Sequence, residues 1–87
     1  MHRVEFTVEP FEEGRPGPHV TGPVEALRER GYEVEFGPFG SACDVPSDGV
    51  SAAVAAVVQA AFDHGATRVN LDVVRLDGPA SGREPAR

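Results

Sequence analysis

Eighty-seven residues make one domain at most, and a hydrophobic core of that size is marginal unless copies of the chain associate. Fourteen acidic side chains stand against eight basic ones, a net charge of −6, which disfavours binding to nucleic-acid phosphates and anionic membranes. A cationic or neutral small molecule meets no such barrier. With no lysine in the chain, Schiff-base and P-loop lysine chemistry are excluded.

The segment from Arg3 to Glu9 alternates strictly, with Val4, Phe6 and Val8 on one side and Glu5, Thr7 and Glu9 on the other. A period of two predicts a half-buried strand, ended by Pro10. Residues Phe11 to Pro18 hold two Gly and two Pro and read as a loop. From about His19 to Arg30 the spacing of Val20, Val24 and Leu27 predicts a helix, with Glu25, Arg28, Glu29 and Arg30 on its outer face. Thr21 is the expected N-cap, Pro23 falls in the first turn, and Gly31 is the expected stop.

Tyr32 to Phe36 alternates again, Val34 and Phe36 against Glu33 and Glu35. Gly37-Pro38-Phe39-Gly40 reads as a turn and Ser41 to Val45 as a short third strand. The connection is too short for a crossover, so the two strands should form a hairpin. Ser47 is the expected N-cap of a second helix over Asp48 to His64. That helix should turn Val50, Val54, Val57 and Ala61 to the sheet, with Phe62 at the margin, and stop at Gly65. Arg68 to Leu76 is the fourth strand, Val69, Leu71 and Val73 opposed to Asn70 and Asp72. The domain is expected over residues 1–77, with a flexible tail over 78–87.

The order strand, helix, strand, strand, helix, strand predicts an α+β fold. Right-handed crossovers around a central hairpin give the ferredoxin-like βαββαβ sandwich, a four-stranded antiparallel sheet with two helices on one face. The other face is left without cover. It should carry Glu5, Thr7 and Glu9, then Glu33 and Glu35, then Asn70 and Asp72. On the third strand, either Ser41 and Cys43 or Ala42 and Asp44 join it. Five carboxylates on one sheet face repel each other, and a bound cation or a partner subunit would relieve this.

Catalytic chemistry is not visible. His2, His19 and His64 lie in three segments without metal-site spacing. Cys43, the only cysteine, can form no disulfide within the chain and has no recognisable His partner. No nucleophile or oxyanion hole accompanies the carboxylates. The expectation is a non-enzymatic domain with no cofactor and no metal ligands. Without a signal-like opening or an apolar run near the roughly 18 residues of a membrane span, a cytoplasmic location is expected.

The stretch Tyr32 to Ser41, YEVEFGPFGS, resembles a pattern of the thiamine-binding protein (YkoF-like) family, an extended strand followed by Gly and a Ser or Thr. The opening strand VEFTVEP and the helix end AAFDHGATRV are also similar to that family, and the likeness runs from about Val4 to Asp77. Asp44 stands where the family more often has Glu. The resemblance implies non-catalytic binding of thiamine or its hydroxymethylpyrimidine moiety and assembly into homodimers or homotetramers through the sheets. It suggests Thr7 and Ser41 as hydrogen-bonding hydroxyls, Glu35 or Asp44 as the acceptor for the pyrimidine amine, and Phe39 as a stacking ring. The competing expectation is a self-assembling structural or regulatory domain with no small-molecule ligand.

Overall fold

The computed structural model describes residues 1–10, 17–37 and 40–76. The alternation at the start of the chain becomes β1 (His2–Glu9), whose Val4, Phe6 and Val8 are buried while Glu5, Thr7 and Glu9 are exposed. Next come α1 (Pro18–Glu29), β2 (Val34–Gly37), β3 (Gly40–Val45), α2 (Val50–Asp63) and β4 (Arg68–Arg75). The strands form one antiparallel sheet in the order β2-β3-β1-β4. This is the ferredoxin-like arrangement, in which β1 and β3 fill the centre because each crossover returns the chain past its neighbour.

The core lies between the sheet and the helices. Val4, Phe6 and Val8 of β1 and Cys43 and Val45 of β3 meet Val24 and Leu27 of α1 and Ala53, Val57 and Ala61 of α2. Leu27, Val45 and Val57 are fully buried, and each such side chain stabilises the fold by about 1.5–3 kcal/mol in transfer terms. Both helices end in the same way. The Tyr32 amide bonds the Leu27 carbonyl and the Gly31 amide that of Arg28; Ala66 and Gly65 repeat the pattern on Ala61 and Phe62. These are Schellman motifs, with Gly31 and Gly65 at φ +92° and +98° as the sequence led one to expect.

The helix starts differ from expectation. Gly17 is the N-cap of α1 and Pro18 follows it, because a proline in the first turn gives up an amide that no helix bond needs. Thr21 therefore sits inside the helix, its hydroxyl donating to the Gly17 carbonyl at 3.4 Å. Ser47 opens a 3-10 turn over Ser47–Gly49 and makes no cap bond; its hydroxyl lies 3.4 Å from His2 Nδ1.

Three apolar residues expected on the covered side are largely exposed: Phe36 at 46%, Phe62 at 49% and Val73 at 44%. Phe36 and Val73 belong to the two edge strands, and Phe62 lies in the last turn of α2. Among the described residues, no helix is long and apolar enough to cross a membrane.

Candidate ligand-binding site

Register decides what the uncovered face presents. Glu35 of β2 pairs with Ala42 of β3, Ala42 with Glu5 of β1, and Glu5 with Asp72 of β4. One line of residues thus crosses the whole sheet, three carboxylates interrupted by one methyl group. At about 4.8 Å per strand, Glu35 and Asp72 stand roughly 14 Å apart along it. A second line runs beside it, where Gly37 pairs with Gly40 and Thr7 with Asn70. The Asn70 amide donates to the Thr7 hydroxyl at 3.4 Å.

The small residues Gly37, Gly40 and Ala42 leave a dip between the taller carboxylate and amide side chains. The result is an open concavity of about 430 Å³, lined by Glu5, Thr7, Glu35, Asn70 and Asp72 together with Phe6, Gly37, Gly40, Ser41 and Ala42. Its exposed lining is more apolar than polar, and its polar groups are mostly hydrogen-bond acceptors, with the Thr7 hydroxyl and the Asn70 amide as donors. Such a surface suits a ligand that carries positive charge and N–H groups.

Register also resolves the third strand: Ala42 and Asp44 share the open face, whereas Ser41 and Cys43 pair with Phe6 and Val4 and are buried. Of the residues singled out from the sequence, Thr7, Glu35 and Ser41 come together at the concavity. Ser41 is only 6% exposed and alternates toward the helix side. Asp44 lies on the same face outside the concavity and is taken up by Arg3, whose Nε donates to Oδ1 at 2.9 Å and Nη2 to Oδ2 at 3.4 Å. Phe39 lies outside the described residues.

Arg3 escaped the sequence reading of this face, although its place two residues before Glu5 puts it on the same side of β1. The hydrogen bond that Arg3 donates to Asp44, then the charge of Asp44, raises the guanidinium pKa above its ordinary value. Burial pushes the Cys43 thiol up, against formation of the nucleophilic thiolate. Among the described residues, no group of three or more His, Cys, Asp and Glu side chains is placed to hold a metal ion.

A family model described as thiamine-binding protein matches residues 4–80, which takes in both helices, the sheet from Val4 onward and every residue of the concavity. The chain belongs to the thiamine-binding protein family. This is a family of binding proteins, and membership supports a binding role. Two solved structures share the fold. A domain of unknown function, DUF77, from Bacillus cereus is 22% identical with a TM-score of 0.60, the match covering 83% of this chain and 70% of that one. A protein from Streptococcus pneumoniae is 14% identical with a TM-score of 0.64, over 95% and 92% of the two chains. No curated protein matches the chain.

Proposed function

We propose that the concavity on the open sheet face binds thiamine, or a related hydroxymethylpyrimidine-type molecule, without changing it chemically. The line of carboxylates from Glu35 through Glu5 to Asp72 carries this reading, because it supplies acceptors and negative charge across the floor of one recess. Thiamine joins a cationic thiazolium to an aminopyrimidine, so one end wants negative charge and the other wants an acceptor for its amine. Of the two acids expected to take the amine, Glu35 is the better placed, since Asp44 is engaged by Arg3. Thr7 then offers a hydroxyl to a ring nitrogen, while Glu5 and Asp72 face the thiazolium.

Isothermal calorimetry tests the proposal. Saturable heat with thiamine or hydroxymethylpyrimidine supports it, and no heat with either sinks it.

A second reading, self-assembly, has its own observation. Edge strand β4 and the residue after it expose Val73, Val74 and Leu76 at 44%, 46% and 48%. Burying such a strip against another copy would add to a small core. Light scattering that gives the monomer mass at all concentrations would remove this reading.

A further inference from the structure

Arg3 reaches the rim of the recess at Glu35 and is held there by an acid the recess does not use. Arg3 and Asp44 are direct partners across β1 and β3, and their two-point contact is between partly buried side chains, 35% and 39% exposed. The third guanidinium nitrogen, Nη1, stands 4.0 Å from Glu35 Oε1, whose side chain is 77% exposed. One contact is short and doubled; the other is long and solvated. Asp44 therefore fixes the guanidinium, whereas Glu35 is held loosely enough to change partners.

We propose that Arg3 is a positioning residue that tunes the affinity of the site by competing with the ligand's amine for Glu35. This rests on the binding reading above. A ring amine that donates a hydrogen bond to Glu35 must draw that carboxylate from Arg3, whichever molecule carries the ring. Arg3 thus weakens thiamine and the free pyrimidine alike without touching either.

Calorimetry on the full chain at pH 8, with thiamine as the cationic probe and hydroxymethylpyrimidine as the neutral one, tests this. Arg3→Gln should tighten both probes by about fivefold, the size of one exposed charge contact. Arg3→Lys, which restores the charge, should return thiamine to within about twofold of wild type, a range smaller than one such contact. Asp44→Asn should weaken thiamine, because Arg3 is then free to close on Glu35. On a Glu35→Gln background the gain from Arg3→Gln should vanish.

A gain that persists on that background is long-range charge alone and overturns the proposal. So does a gain confined to thiamine, or a loss of thiamine affinity in Arg3→Gln. If the wild-type protein binds neither probe, the binding reading itself falls. If it binds both and Arg3 is indifferent, only the present inference falls.

Discussion

Gly40 lies so close against Thr7 that a Cβ at position 40 would stand 3.0 Å from the Thr7 Cγ2 methyl and 3.1 Å from the Phe6 carbonyl oxygen. Its φ of +151° adds a backbone reason for glycine. Gly40→Ala should therefore destabilise the protein by about 1–3 kcal/mol, seen as a lower urea midpoint. The same methyl would enter the recess beside Thr7, so ligand affinity should fall in whatever fraction remains folded. An unchanged midpoint would mean that the close approach is relieved at no cost.

Thr7→Val separates function from stability. Thr7 is exposed, and its hydrogen bond to Asn70 is long and solvated, so stability should move by no more than about 0.5 kcal/mol. Binding of thiamine should weaken by roughly tenfold if the hydroxyl meets a ring nitrogen. Urea titration and calorimetry on the same preparation read the two effects.

Leu27→Ala probes the core. Leu27 is fully buried and its carbonyl also anchors the end of α1. Cavity formation should cost about 2–5 kcal/mol, a large part of the 5–15 kcal/mol that holds a typical domain together. The urea midpoint should fall sharply while the slope of the transition stays the same.

Cys43 gives a prediction in pH. Its folded thiol titrates above the usual value of about 8.5, so between the unfolded and folded values the native state holds a proton the unfolded state has lost. That stabilisation is complete below the unfolded value and disappears as pH climbs toward the folded one. The stability advantage of wild type over Cys43→Ala should accordingly narrow above about pH 9. At pH 8 the native thiol should also resist alkylation until urea unfolds the chain.

What was legible in the sequence follows from how locally each feature is encoded. Period-two alternation sufficed for β1 and β4, whose faces it fixes residue by residue, and Gly31 and Gly65 marked both helix ends. Helix starts were less legible, since Gly17 takes the cap expected of Thr21, and Gly49 the one expected of Ser47, and tertiary packing chooses. Edge position is also not local, and for that reason Phe36 and Val73 have the inward parity but not the burial. In β3 every side chain is small or ambiguous; its facing is set by pairing, with Arg3 opposite Asp44 and Val4 opposite Cys43. The acidic character of the open face could be read in advance. Its one central cation could be read too, by stepping back two residues from Glu5.

The recess takes Glu5, Phe6 and Thr7 from the first strand, Glu35, Gly37, Gly40, Ser41 and Ala42 from the hairpin strands, and Asn70 and Asp72 from the last strand. These stretches are remote along the chain and meet only when the sheet has closed in the order β2-β3-β1-β4. Occupancy and folding are therefore linked equilibria. A ligand that fits the recess at one hundred times its dissociation constant would deepen the native well by about 2.7 kcal/mol. A partly assembled sheet would gain nothing from it, so the ligand would sharpen the cooperativity of a domain whose own core is small.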